Sequence, residues 1–163
     1  DQLMLYRDQT DQAMLNMLDS HDTARLLTVA GGDENLALQA LAFTFLQTGM
    51  PCLYYGTEMG MAGENDPDCR RPMDWAQLKG PIWQRVQALV TFRRAQAATL
   101  GTGTTVLSVT ATGLLKVTRT GAHTVTAYFN TTKQPVALTA SPVLAQGYAD
   151  QQLAPTGFAV MVQ

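Results

Sequence analysis

The sequence predicts two structural classes in one chain: a mixed helix-and-strand half over residues 1–98 and an antiparallel β-sandwich half over residues 99–163. Three observations carry this. Residues 1–98 hold 20 of the 24 Asp, Glu, Lys and Arg side chains, leaving only Lys116, Arg119, Lys133 and Asp150 beyond them. The second half holds 14 of the 21 threonines, and β-branched side chains favour strands. In the first half, an apolar run, a long apolar helix and a second apolar run follow one another, the order of a right-handed parallel strand–helix–strand unit.

Taken in order, Ala13 to Leu18 is a short apolar run that reads as a buried strand. Gly31-Gly32-Asp33 breaks the chain and starts a helix; Leu36 to Thr48 is apolar at helical length, and Gly49 and Pro51 stop it. Cys52 to Tyr55 reads as a second buried strand. A polar loop rich in Gly and Pro follows, running from Gly56 to Trp75. Gly80-Pro81 then opens another helix with proline at its first position, and Ile82, Val86, Leu89, Val90 and Arg93 share one of its faces. The boundary between the halves falls near Thr99 to Gly103. Beyond it, Val106–Val109, Leu114–Thr118, Val125–Asn130, Val136–Leu138 and Phe158–Val162 read as short strands between turns, the spacing of a small sandwich or Greek key.

Composition removes several function classes. Of 163 residues, 46% are hydrophobic and 15% charged, so a core can form. Eleven Lys and Arg against thirteen Asp and Glu give a net charge of −2, which offers no basic stripe for nucleic acid. No apolar run approaches the ~20 residues that span a bilayer. The opening DQLMLYRDQT lacks a signal peptide's basic and apolar regions and an initiator Met, and reads as the start of a cut piece. Cys52 and Cys69 lie outside any CxxC, and His21 and His123 are far apart, so no zinc spacing exists. Two stray cysteines suit a reducing compartment, the cytoplasm, better than a disulfide.

Chemistry concentrates in two clusters, each directly after a predicted strand: Asp19-Ser20-His21-Asp22-Thr23, and the loop GTEMGMAGENDPDCRRPMDW from Gly56. Loops at the carboxyl ends of neighbouring parallel strands open onto one site. A carboxylate, an imidazole and guanidinium groups suit a hydroxyl-rich neutral ligand, and a carboxylate beside an anomeric carbon stabilises an oxocarbenium-like transition state. The plainer readings are that Asp19 and Ser20 cap or turn the chain, that His21-Asp22 is a structural pair, that Asp66-Pro67-Asp68 is an ordinary turn, that Arg70-Arg71 is solvated, and that Tyr54 and Tyr55 pack. A metal-dependent phosphohydrolase of the His-Asp type needs further ligating histidines, and His123 lies in the Thr-rich half.

MLNMLDSHDTARLLTVAGGD followed by GMPCLYYGTEMGMAGENDPDCRRPMDW resembles the alpha-amylase family of glycoside hydrolases, within it the neopullulanase, cyclomaltodextrinase and maltogenic amylase group. NDPDCRRPM is the most group-specific string. LVTFRRAQAATLGTG resembles the family's last barrel helix, and PTGFAVMVQ the closing strand of its C-terminal β-sandwich. The resemblance implies the last strands and helices of a (β/α)8 barrel, residues 1–98, then the sandwich, residues 99–163. It makes Asp22 the third catalytic carboxylate, a transition-state stabiliser. It makes His21 a ligand of the sugar at the cleavage site, and Asp66 and Arg70 a pair that binds glucose units on the non-reducing side. Ala24 and Ala76 depart from the family pattern.

The resemblance also implies a retaining hydrolase of cyclodextrins, pullulan or maltooligosaccharides; no cofactor or metal is expected. The nucleophilic Asp and acid/base Glu lie upstream of Asp1, so the chain alone is expected to be inactive. Glu58 has a superficial claim to the acid role, but the resemblance makes it structural. A competing reading is a non-catalytic sugar-binding or structural sandwich; yet residues 99–163 offer only Tyr128, Phe129, Tyr148 and Phe158 as aromatic platforms. Barrel strands without neighbours leave open edges, so self-association or the remainder of a parent chain is expected to cover them.

Overall fold

The computed structural model describes residues 6–163; the first five residues of the opening segment lie outside the described residues. A short helix α1 (Asp8–Ala13) leads into strand β1 (Leu15–Asn16). One helical turn, α2 (Leu26–Val29), precedes the long helix α3 (Glu34–Leu46). Asp33 caps α3, its side chain accepting from the N–H groups of Asn35 and Leu36. Strand β2 (Met50–Pro51) pairs with β1 in parallel, Leu15 opposite Met50 and Asn16 opposite Pro51. The order strand, helix, strand is therefore as predicted, but both strands are much shorter than the apolar runs that announce them.

Neither is buried as predicted. Leu15 is 64% exposed and Met17 48%, because nothing among the described residues packs on their outer side. Cys52 to Tyr55 lies after β2 rather than in a strand; its carbonyls turn to other partners, that of Tyr54 to the Thr57 N–H and that of Tyr55 to Arg25. Gly49 makes the approach of the two strands possible: it has φ +95°, and a Cβ there would lie 2.7 Å from the Met14 carbonyl.

Helix α4 (Pro81–Ala95) starts with proline as predicted and lays Val86 and Leu89 against α3. A turn of helix, α5 (Ala97–Leu100), leads to the second half. That half is all antiparallel: β3 (Thr104–Val109), β4 (Leu115–Thr120), β5 (Thr124–Phe129), β6 (Val136–Ala137), β7 (Leu144–Ala149) and β8 (Gln152–Val162). The sheet runs β3-β4-β5-β8, and β8 is its hinge. Its end, Phe158 to Val162, pairs with β5, and its start, Gln152 and Leu153, pairs with β6; β7 covers the opposite edge. The sequence reading misses β7 and starts β8 six residues late.

The sheet buries both faces around β5 and β8. On one face Val125, Ala127, Phe129, Phe158 and Val160 join α3 and α4 in the main core, where Phe43 meets Phe129 edge to face at 5.5 Å. On the other, Leu114, Leu153 and Ala159 form a smaller core with Tyr128, Val136 and Tyr148. Gln39, buried on α3, donates to the carbonyls of Asn130 and Gly157 and so ties helix to sheet.

Two arginines fix the C-terminal end of α3. Arg119 is completely buried and donates to the carbonyls of Leu46, Leu100 and Gly103, each at 3.0 Å. Arg93 donates to those of Phe45, Gln47 and Gly49. The negative end of the helix dipole and its free carbonyls supply what a carboxylate would. Burial, and then the neighbouring Arg93, push the Arg119 guanidinium down to about 10.

Candidate active site

Because β1 and β2 run parallel, the loops that follow them leave the same end of the pair. The first loop is built on Asp19. Its buried Oδ2 accepts from the Leu26 N–H at 3.0 Å and from the Thr57 hydroxyl at 2.7 Å, joining the base of one loop to that of the other. Ser20 closes a local turn: its hydroxyl accepts from the Asp22 N–H at 3.1 Å, and its own N–H donates to Thr23 Oγ1 at 3.0 Å. The turn reading of Asp19 and Ser20 is therefore right for these two residues. Its result is to hold the Asp22 carboxylate outward, 68% exposed.

The second loop brings Arg70 to that carboxylate. Arg70 Nε lies 2.7 Å from Asp66 Oδ1 and donates to the His21 carbonyl at 3.1 Å, while one terminal nitrogen stands 3.5 Å from Asp22 Oδ1. His21 Nε2 lies 3.3 Å from the same Asp22 oxygen. The buried Cys69 thiol also donates to the His21 carbonyl, at 3.2 Å. His21, Asp22, Asp66 and Arg70 thus stand in one cluster, although 48 residues separate Asp22 from Arg70. Arg71 is not merely solvated: it grips both oxygens of Asp68 at 2.7 Å. That contact, with the Glu64 N–H, holds the Asp68 carboxyl below the usual range and raises the Arg71 guanidinium.

Beneath the cluster is a residue that sequence reasoning missed. Arg25 is completely buried, its guanidinium carbon 4.1 Å from the Tyr54 ring centre and 4.5 Å from that of Tyr55, and it joins none of the ion pairs among the described residues. It donates to the Tyr55 carbonyl, and its N–H donates to the Gly63 carbonyl at 2.8 Å. Tyr54 and Tyr55 do pack, as read, but what they pack is a cation. Burial is the main cause that pushes the Tyr54 phenol up, with Tyr55 second. Gly63 has to be glycine: a Cβ would lie 2.9 Å from the Asp68 carbonyl and 3.2 Å from the Arg25 side chain. The one signal in the sequence was an isolated arginine ahead of an apolar turn, which a surface position would explain equally well.

Chemically the cluster is a carboxylate whose negative charge is steadied by Arg70, with the His21 imidazole beside it, and which is left open to a ligand. It sets two carboxylates, a guanidinium and an imidazole side by side, and so offers both donors and acceptors. Glu58 is not part of it, but lines a separate cavity with Trp83. Residues 2–97 match the alpha-amylase catalytic domain. The chain belongs to the alpha-amylase family. It is 47% identical over 103 residues to the intracellular maltogenic amylase of Bacillus subtilis (strain 168), a stretch that is 62% of this chain and 18% of that protein. It is 53% identical over 74 residues to neopullulanase 2 of Thermoactinomyces vulgaris, 45% of this chain and 13% of that protein. Among solved structures, the Nostoc punctiforme debranching enzyme superposes with a TM-score of 0.81 at 25% identity, covering 99% of this chain and 36% of that one. The chain therefore spans less than a fifth of the length of the curated relatives it matches. In this alpha-amylase family chain, β1, β2 and the helices around them are the last part of a (β/α)8 barrel, and the antiparallel half is the C-terminal β-sandwich.

Proposed function

We propose that this chain supplies one wall of the active site of a retaining α-glucan hydrolase acting on cyclodextrins, pullulan or maltooligosaccharides. Asp22 is the carboxylate that stabilises the oxocarbenium-like transition state; His21 binds hydroxyls of the sugar at the cleavage point; Asp66 and Arg70 hold glucosyl units on the non-reducing side. The observation that carries this reading is Arg70, which touches Asp66, the His21 carbonyl and Asp22 together and so makes one site of two loops. A neutral, hydroxyl-rich ligand meets both donors and acceptors there. Retention requires two further carboxyl groups about 5–5.5 Å apart across the bond, and neither the Asp66 nor the Asp68 carboxylate is free for that work. The chain alone is accordingly inactive, and the whole enzyme works in the cytoplasm, like the relative named intracellular.

The test is a chimera in which this chain replaces the corresponding stretch of the Bacillus subtilis relative. In it, Asp22→Asn should lower kcat on maltooligosaccharides by several orders of magnitude with KM within a few-fold. Near-normal turnover in that variant would remove Asp22 from the reaction.

A further inference from the structure

Glu58 takes no part in the Asp22 cluster, and nothing described so far accounts for it. It sits in the single turn Thr57–Met59, between a threonine that anchors Asp19 and a buried methionine. With Leu53, Tyr55, Trp83, Gln87 and Val90 it lines a cavity of about 320 Å³ between the end of the β2 segment and helix α4. Its Oε2 is shielded from solvent and has no hydrogen-bond partner among the described residues. None of the four ion pairs among those residues includes it.

A shielded carboxylate oxygen without a donor is costly, so the shape and chemistry around it point to what would satisfy it. The cavity has two aromatic side chains, Tyr55 and Trp83, an amide, and the aliphatic walls of Leu53 and Val90. A planar guanidinium on an aliphatic stem meets every part of this: it donates to the carboxylate, stacks on the rings and lays its methylenes on the apolar wall. A sugar ring fits poorly, because the Tyr55 hydroxyl already donates to the Arg71 carbonyl at 2.8 Å, leaving few polar groups for several hydroxyls.

We propose that the Glu58 cavity receives an arginine side chain from a polypeptide segment packed across α4 and residues 53–55. The source is the part of the catalytic domain that lies outside the matched stretch in relatives, since that stretch is 18% of the Bacillus subtilis protein. The carboxylate is thus an assembly contact, independent of whatever Asp22 does in the reaction.

Two measurements decide it. In a Trp75→Phe background of the 163-residue chain, N-acetyl-arginine amide should shift the Trp83 indole N–H signal saturably. The neutral isostere N-acetyl-citrulline amide should not, and Glu58→Gln should abolish the shift. Equal shifts from both probes, or a shift that survives Glu58→Gln, would overturn the proposal. The second measurement is thermal. Removing an unpartnered carboxylate should leave the melting temperature of the chain alone unchanged or raise it, whereas the same substitution should lower that of the chimera by several degrees. A fall in both, or in neither, refutes an arginine partner. Cross-links that place a second copy of this chain over Trp83 would assign the cavity to self-association instead.

Discussion

The two sheets of this chain differ in what their strands need. In the antiparallel sheet β3, β4, β5 and β8 pair through five or six successive residues, and β5 and β8 are covered on both faces. The parallel pair β1–β2 is two residues deep, and Leu15, Met17, Leu18 and Met50 beside it are left exposed. Yet the site stands at the end of this weak pair. It is held there by side chains, Asp19 to Thr57 and Arg25 to the two tyrosines, rather than by strand pairing. The antiparallel sheet packs into the main core with α3 and α4, whereas the parallel pair that positions the candidate site contributes little to that core.

That contrast breaks if apolar residues in the two sheets cost the same. Phe129→Ala empties the junction between α3 and the sheet and should destabilise the chain by about 3–5 kcal/mol in denaturant unfolding. Leu15→Lys and Met17→Lys should change stability by no more than about 0.5 kcal/mol. They should instead suppress the concentration-dependent self-association that light scattering is expected to find for the unmodified chain. A large loss of stability from Leu15→Lys would show that the parallel pair is already a closed core.

A smaller effect sharpens the picture at the junction. Arg119→Met removes donors from three carbonyls, which alone is worth several kcal/mol. Part of this is offset, because the guanidinium is itself held in an environment that disfavours its charge. The net loss in denaturant unfolding should be about 2 kcal/mol. No loss would mean that α3 needs no cation at its end.

The sequence made α3 and α4 legible because their ends are local chemistry: Asp33 caps one and Pro81 opens the other. It made His21, Asp22, Asp66 and Arg70 legible through their motifs, though not through any spacing that would show them touching. What it hid depended on distant partners. Cys52 to Tyr55 is apolar like a strand, but Arg25 takes the last of its carbonyls and a turn takes another. Strand β7 has no β-branched residue, and Gly147 at φ +66° interrupts its register with β8. Arg25 and Arg119 look like surface charges in the sequence, and only the fold shows carbonyls and rings closing around them.

The smallest expected effect concerns the rim of the site. Asp68 has its carboxyl below the ordinary range because Arg71 and then the Glu64 N–H bind its charged form. In the unfolded chain an aspartate titrates near ~3.9. A depressed folded value means that this clamp stabilises the loop fully above that pH, and that the contribution is lost as pH falls through the folded value. The pair is exposed, so solvent screens it and the effect on global unfolding should be slight. It should be visible locally: the Glu64 amide, bound to Asp68 Oδ2 at 2.7 Å, should move in NMR spectra only once the pH drops below the usual aspartate range. In Asp68→Asn the acid transition should vanish, while Arg70 keeps its grip on Asp66. A Glu64 amide that titrates at the ordinary aspartate value would show that the Arg71 clamp does not form in solution. The rim of the site would then be as dependent on the rest of the barrel as β1 and β2 are.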